Sequence, residues 1–410
     1  MKLITVVKLG GRCITDKSSY ETLDAVALEK CSSSVILSLR TARMKSSTTT
    51  TTRGGRNDQE RHGETNKKEE NEEERRTIVV HGAGSFGHMD AKRCGLGDEN
   101  RRNMMHTKEF LDGCETTRRS VQKLNAMVAE SLEKNANETV IVRKQHLGDA
   151  WRFNERGEVE VVGYASVREY CEEQCRSTAT FTTSSSPSSS SSKKSLLLLH
   201  GDVVEDATHG RSILSGDRIA LEIAKAYASA GDEKVVIRVV FITGARGVFN
   251  RDPDGDAVDA EPPCKLLRKI ETTIDGWTCV KSNLKKEVED IAYATNDSLR
   301  YSASESERDI ESWKKDEQIS TTTCLHDVTG GILGKIQSAV AIANLSSSDR
   351  ASVQAYVTSV RNDDDDDALA ALTGSVDLDT LIDKQTNKPF RGTVIVKKCE
   401  TRRDGGRRTT

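Results

Sequence analysis

Short runs of β-branched and aliphatic residues recur along the chain, at Leu3–Leu9, Thr77–Val80, Thr139–Arg143, Leu196–Leu199, Val235–Thr243 and Val353–Val360. Apolar residues follow one another in these runs almost without interruption. That pattern suits strands buried on both faces, as in a parallel sheet sandwiched by helices. Thr393–Lys397, which follows Pro389 and Gly392, reads as a last strand. The segments Leu23–Leu39, Asn103–Leu132, Asp217–Ala230 and Lys335–Leu345 carry apolar residues at three- and four-residue spacing, the mark of a helix with one buried stripe. Strand runs alternating with helical segments predict an α/β fold built on a mostly parallel sheet.

Four stretches interrupt the pattern: Lys45–Arg76, Ser177–Lys194, Ser298–Thr323 and the acidic run within 361–368. They are too polar and repetitive to bury the apolar surface that would offset their ordering entropy, so they read as mobile insertions. Setting them aside leaves on the order of 300 residues, enough for one large α/β domain. The expected domain is 1–397, divided near 195 and 196, with a basic tail over 398–410. In a parallel sheet ligands gather beyond the carboxyl ends of strands. The first two insertions precede strands and are expected away from the chemistry. The acidic run follows a strand and reads as a solvated loop near the active edge.

The 61 basic and 64 acidic residues are interspersed, for a net charge of −3. No one-sided field favours nucleic acid or an anionic membrane, and neither is expected as a partner. Ten cysteines are scattered without a Cys-x-x-Cys pair. Reduced thiols in a cytoplasmic compartment are the plain expectation, with Cys171 and Cys175, four apart, packing on one helix face. No apolar stretch reaches the ~18 residues of a membrane span, and no targeting segment is visible.

Candidate chemistry sits in five glycine-bearing loops. Lys8-Leu9-Gly10-Gly11 ends the first strand run, with Lys17 shortly after it. Glycines let backbone N–H groups approach a phosphate, and a lysine supplies a point charge for transferring oxygens. The second loop, His81-Gly82-Ala83-Gly84-Ser85-Phe86-Gly87-His88, offers several free amides and an imidazole, His88, that can donate to a phosphate oxygen. His81 reads as a strand-end histidine packed or bonded to backbone. The third pairs Gly201-Asp202 with Ser215-Gly216-Asp217. Asp217 opens a helix, either as a first-turn acid or as the carboxylate that positions catalytic lysines. The fourth is Thr243-Gly244-Ala245-Arg246-Gly247. The fifth, Asp327-Val328-Thr329-Gly330-Gly331 with Lys335, couples a glycine pair to a lysine but lacks the Walker order.

In this order and register the five loops resemble the amino acid kinase superfamily, and within it the isopentenyl phosphate kinases, from Lys2 to Lys397. The resemblance implies a three-layer αβα sandwich, with the acceptor in the amino-terminal half and ATP with Mg2+ in the other. It implies a homodimer that phosphorylates isopentenyl phosphate to isopentenyl diphosphate. His88 matches the histidine that hydrogen-bonds the acceptor phosphate, and Gly82, Ala83 and Gly84 match its cradle. Gly10, Gly11, Gly87, Gly201 and Asp202 complete the implied acceptor site. Lys8, Lys17 and Lys335 match the lysines that neutralise the transferring group, and Asp217 the acid that orders them. Thr243, Gly244, Gly247, Gly330 and Gly331 are implied at the nucleotide together with those lysines, and no protein ligand for a metal is assigned.

The apolar residues Met104, Met105, Phe110 and Leu111 are candidates for a wall along an isoprenoid tail. Three arginines depart from the family pattern. Arg12 stands where a small Ser is usual, Arg218 where a second Asp often follows Asp217, and Gly244-Ala245-Arg246 replaces the Asp-Val-Asp of the nucleotide loop. These positions bear on nucleotide affinity and base preference. Another kinase of the superfamily, of the fosfomycin-resistance or amino acid type, is the alternative enzyme. A binding protein for nucleotide and isoprenoid phosphate without turnover is the alternative from another class.

Overall fold

A computed structural model describes residues 1–16, 18–47, 74–96, 104–176, 194–230, 234–249, 266–273, 276–279, 331–347, 350–360 and 366–398. In chain order the strands are β1 (Lys2–Leu9), β2 (Thr15–Asp16), β3 (Thr22–Leu23), β4 (Glu74–His81), β5 (Val140–Lys144), β6 (Trp151–Phe153), β7 (Val159–Val161), β8 (Lys194–His200), β9 (Asp202–Asp206), β10 (Gly210–Leu214), β11 (Val235–Ile242), β12 (Val248–Phe249), β13 (Leu266–Leu267), β14 (Lys269–Thr273), β15 (Gly276–Cys279), β16 (Ala351–Thr358) and β17 (Thr393–Lys397). The helices are α1 (Gly11–Ile14), α2 (Ala25–Ser47), α3 (His88–Arg93), α4 (Lys108–Ala136), α5 (Val167–Arg176), α6 (Gly216–Ala228), α7 (Gly331–Asn344) and α8 (Asp366–Thr373).

Nine strands form one sheet in the order β15-β14-β17-β16-β11-β1-β4-β8-β5. From β16 to β5 every neighbour is parallel, while β17 and β15 run against β16 and β14. Consecutive residues of one strand bury on opposite faces, so each strand serves two cores. Ile4 and Val6 of β1 join Ile78 and Val80 of β4 against α5, α6 and α7. Val7 and Leu9 join Val79 and Leu198 against α2, α4 and α8. This double burial explains the nearly continuous apolar runs in the sequence, and the three layers match the expected sandwich.

The helix ends follow local chemistry. Thr107 caps α4, its hydroxyl accepting from the Phe110 amide at 3.3 Å, and Asn137 ends the helix at φ 45°. Ser215 caps α6 by accepting from the Arg218 amide at 3.2 Å, which places Asp217 in the first turn with its side chain free for other use.

Several expected boundaries shift. β4 begins at Glu74, β8 at Lys194, and α2 runs on to Ser47, so the ends of two polar stretches belong to regular elements. Asp366 and Asp367 open α8, where the Asp367 carboxylate accepts from the Arg391 amide at 3.1 Å. The remainder of these stretches, all of 298–323, and the tail from 399 lie outside the described residues. The division expected near 195 and 196 falls within β8, which sits between β4 and β5. The chain changes sides of β1 only after α6, on entering β11. A second sheet, β10-β9-β6-β7, is built from short strands of mixed character that apolar periodicity does not reveal. Among the described residues no helix is long and apolar enough to cross a membrane.

At the amino edge of the sheet Glu172 of α5 ties three cations together. It accepts from Lys2 at 2.6 Å and from Arg168 and Arg176 at 2.9 Å each. Lys2 and Arg168 also flank the Tyr227 ring of α6. Burial alone would raise the Glu172 carboxyl, but the hydrogen bonds and charges of Lys2 and Arg168 outweigh it and bring it to about 2. Because the folded value lies below the ordinary one, the stabilisation is complete above pH ~4.5 and fades as pH falls toward ~2. Glu172→Gln leaves the buried Lys2 ammonium without its short partner and should cost about 2 kcal/mol at neutral pH. In urea unfolding curves the gap from wild type should be widest near pH 7 and close on acidification; a gap constant with pH would refute this account.

Candidate functional site

The carboxyl ends of the central strands are joined by backbone hydrogen bonds that continue past the ladder. Thr243 N–H donates to Thr358 O at 2.7 Å, Gly10 N–H to Ile242 O at 2.8 Å, Gly82 N–H to Leu9 O at 3.0 Å, and Gly201 N–H to His81 O at 2.9 Å. Four of the glycine loops therefore leave the sheet side by side, at the point where the chain crosses from one side of β1 to the other. Crevices at such points are where open α/β sheets bind ligands.

Within this row two loops touch through bare backbone. A Cβ on Gly11 would lie 2.4 Å from the Gly84 nitrogen, and one on Gly84, at φ +55°, would lie 2.1 Å from Thr15 Oγ1. Thr15 in turn donates to Gly11 O at 2.8 Å and accepts from Ser85 N–H at 3.0 Å. Ser85 Oγ accepts from Thr22 N–H and donates to Thr22 O, both at 3.1 Å, which binds the β2–β3 hairpin to the second loop. Ala83 is right-handed (φ −68°, ψ −32°) and Gly84 left-handed, a sequence that turns successive amides toward a common point and makes an anion nest. Gly87 precedes α3, whose first residue is the buried His88.

Next to the nest stands an ion triad. Lys8 Nζ lies 2.7 Å from Asp217 Oδ1, and Lys335 Nζ 3.6 Å from Asp217 Oδ2. Gly216 packs between Lys8 and the end of β4, where a Cβ would lie 3.2 Å from Lys8 Cε and 3.3 Å from His81 O. Burial is the main force lowering Lys8, to about 8, against the attraction of Asp217. Burial would raise Asp217, but the Lys335 and Lys8 charges outweigh it and hold the carboxyl below its ordinary value. The carboxylate is thus spent on two ammonium groups and is a poor base. Asp217 thus stands in the first turn of α6 and also lies between the two lysines.

The other expected residues divide. Thr243 is buried, its hydroxyl bonded to Ala245 O at 2.6 Å, and Gly247 packs against Thr393, where a Cβ would meet Oγ1 at 2.5 Å. Gly244 lies between them, Gly331 opens α7 and Lys335 follows one turn later, while Lys17 and Gly330 lie outside the described residues. Asp202 is engaged internally: its carboxylate accepts from the Gly148 amide at 3.0 Å and the Val203 amide at 2.8 Å, and burial raises it to about 6. Arg218 turns along its helix to Glu222 at 2.7 Å, and Arg12 and Arg246 are exposed. Of the apolar wall, Phe110 is buried in a small cluster with Ala91, Cys94, Cys114 and Val203 against which Met105 packs, whereas Met104 and Leu111 face outward. Sequence reasoning passed over Thr15, Ser85, Asn125 and His146, single polar residues with no local pattern. His81 bonds the Gly82 carbonyl, as its strand-end position suggested.

No family model matches the sequence. Two curated proteins do. The chain is 27% identical over 269 residues to an isopentenyl phosphate kinase of Arabidopsis thaliana, a match covering 65% of this chain and 61% of that protein. It is 24% identical over 270 residues to an isopentenyl phosphate kinase of Thermoplasma acidophilum, covering 66% of this chain and 76% of the relative. The match therefore spans under two thirds of the plant protein. A solved structure of an isopentenyl phosphate kinase superposes with TM-score 0.52 at 18% identity, covering 96% of this chain and 100% of the other. The chain has the amino acid kinase fold. In that fold the crevice beside β1, lined by the nest and the ion triad, is the candidate active site.

The Gly84 contact yields a stability test. Gly84→Ala forces a side chain into the left-handed region and onto Thr15, at an expected cost of about 2–4 kcal/mol. Thr15→Ala alone removes hydrogen bonds worth about 1 kcal/mol. Because one substitution removes the atoms the other strikes, the double variant should be more stable than the sum by at least ~1 kcal/mol in urea unfolding; strict additivity would show that the loops do not meet there.

Proposed function

We propose that this protein transfers the γ-phosphate of ATP to isopentenyl phosphate, giving isopentenyl diphosphate and ADP. The observation that carries the reading is the anion nest of Ala83 and Gly84 set beside two lysines that share one buried carboxylate. Such a site holds two anions close together but offers no strong base, since Asp217 is kept ionised by Lys8 and Lys335. An acceptor hydroxyl would need a base. A phosphate monoester, with a second pKa near ~6, brings its own nucleophilic oxygen. The named curated relatives, and the small apolar cluster that begins just past His88, support a short isoprenoid as the group it carries.

In this reading the nest amides and the His88 imidazole hold the acceptor phosphate, and one of its oxygens attacks the γ-phosphorus as the bond to ADP breaks. Lys8 and Lys335 offset the charge on the transferring group, so that catalysis is alignment and electrostatics with little proton movement. Among the described residues no group of three or more His, Cys, Asp or Glu side chains is placed to hold a metal ion, and Asp217 faces two ammonium groups. Magnesium would enter with the nucleotide's phosphates and help neutralise them. By the same resemblance the protein acts as a cytoplasmic homodimer; light scattering at twice the chain mass is the expected result, and a monomer at working concentration would count against it.

Purified protein given MgATP and isopentenyl phosphate should form the diphosphate, followed by phosphorus NMR and ADP release. His88→Ala should cut kcat/KM for the acceptor about 100-fold while the melting temperature holds. Binding of both ligands without turnover would overturn the kinase reading. Faster turnover of fosfomycin or of a carboxylate acceptor would overturn the choice of acceptor. The Lys8 ammonium must be charged to act. The free-enzyme profile of kcat/KM for ATP should therefore fall as pH rises through about 8. Lys8→Arg, charged throughout, should lose that limb while retaining a reduced rate; an unchanged limb would assign it to another group.

A further inference from the structure

Two neighbouring strands of the central sheet, β4 and β8, end in the same dipeptide, His81-Gly82 and His200-Gly201. The strands are parallel and the two histidines are register partners. Their side chains therefore leave the sheet on the same face, and the rings stack with centroids 5.6 Å apart and planes 28° from parallel. Both are fully buried. Each places Nδ1 3.1 Å from the carbonyl oxygen of its own following glycine. A third imidazole extends the row: His146, just past β5 on the other side of β8, sets its Nδ1 3.1 Å from His200 Nε2 and meets that ring edge-on. At the opposite end His81 Nε2 lies 3.1 Å from the side-chain oxygen Oδ1 of Asn125, a fully buried residue of α4.

Proton counting fixes the arrangement. A neutral imidazole has one N–H to give. A carbonyl oxygen can only accept, so His200 and His81 must each carry their proton on Nδ1. His200 Nε2 is then a lone pair, matched by a proton on His146 Nδ1. His81 Nε2 is likewise a lone pair and requires a donor from Asn125. The structure turns Oδ1 of that amide to the ring and leaves Nδ2 buried with no partner, so exchanging the amide's oxygen and nitrogen supplies the donor and resolves both. Charged rings are disfavoured. Burial, the leading cause, holds His81 at about 3 and His200 at about 4, and the cations Lys8 and Arg118 act on the stack. Asp202 is the facing acid, and its oxygens are engaged by backbone amides.

The ladder ends on the acceptor cradle. In a trans peptide the carbonyl and the next amide point in opposite directions. A carbonyl of Gly82 drawn to the buried His81 ring turns the Ala83 amide, the first of the nest, away from the ring. Gly201 is coupled to the same unit, since its amide donates to His81 O at 2.9 Å. We propose that His81, His200, His146 and Asn125 form a ladder of neutral imidazoles, one proton per ring and each on Nδ1, that positions the Ala83 amide for the acceptor's phosphate. They are positioning residues, acting through backbone. The proposal rests on the nest being the acceptor site.

Two measurements test it. Two-bond proton–nitrogen NMR of histidine-labelled protein near pH 7.5 reads the tautomer of each ring, with single His→Asn variants assigning the signals. Three Nδ1–H rings are expected, the reverse of the preference of free histidine. Nε2–H or doubly protonated rings at positions 81 and 200 would overturn the ladder, whatever the protein catalyses. In kinetics His200→Phe keeps a ring and loses both nitrogens. The KM for the phosphorylated acceptor should rise about tenfold, with kcat and the KM for ATP held within about threefold. His200→Asn, whose amide nitrogen can take the place of Nδ1, should recover most of the loss.

An unchanged acceptor KM, or Asn no better than Phe, would refute the positioning role. His146→Phe, at the partly exposed end, serves the same test if His200→Phe melts early. If the wild-type protein turns over no phosphorylated acceptor, the kinase reading fails on its own. The ladder is then judged by the tautomers and by the affinity for inorganic phosphate, which should weaken about tenfold in His200→Phe and return in His200→Asn.

Discussion

The contact between the backbones at Gly11 and Gly84 sets the geometry of everything around the crevice. Neither residue can carry a side chain, because each would drive a carbon into the other loop or into Thr15. Their approach brings the loop after β1, which follows Lys8, against the loop after β4, which leads to His88. The strand ends beneath are already aligned by the hydrogen bonds that run from Thr358 through Ile242 and Leu9 to His81. Parallel pairing thus supplies the row of loops, and two missing side chains let their backbones meet.

The same crowding explains the electrostatics. Two ammonium groups in a dry crevice would repel each other and shed a proton. Asp217, placed by the Ser215 cap in the first turn of α6, answers both. The arrangement leaves one net positive charge facing the nest and removes the carboxylate from proton transfer. A site of this kind rewards a ligand that arrives charged, and Lys8 lies low enough that its own charge varies within the ordinary working range of pH.

Much of this was legible in the sequence. The strands that bury both faces could be located to within a few residues, since β1, β11 and β17 are mostly apolar runs whose ends are marked by glycine or charge. Short strands with mixed faces were not: Asp202–Asp206 reads as a polar loop and is a strand paired with β10. At the site, Lys8, Asp217 and Lys335 declared themselves because each sits beside a glycine pair or a cap at a strand or helix end. Asn125 and His146 did not, because their partners are 44 and 54 residues away and nothing local distinguishes a buried asparagine in a helix or a histidine in a loop. Pairing of that kind appears only when the register of neighbouring strands is known.

Two of the three arginines that depart from the resembled pattern illustrate how context redirects a residue. Arg218 follows Asp217 directly, but one residue along a helix is a rotation of about 100°, enough to take it from the lysines to Glu222 on the next turn. Arg246 replaces an acid in the loop after β11, and its charge acts on Asp367, the last member of the acidic run that opens α8. Burial raises that carboxyl while the Arg391 amide, Arg268 and Arg246 pull it back. Arg246, in the loop after β11, is thus within electrostatic reach of an acid at the start of α8, which follows the adjacent strand β16. A position-by-position comparison of loops would not register a pairing of this kind, because its members come from separate strands.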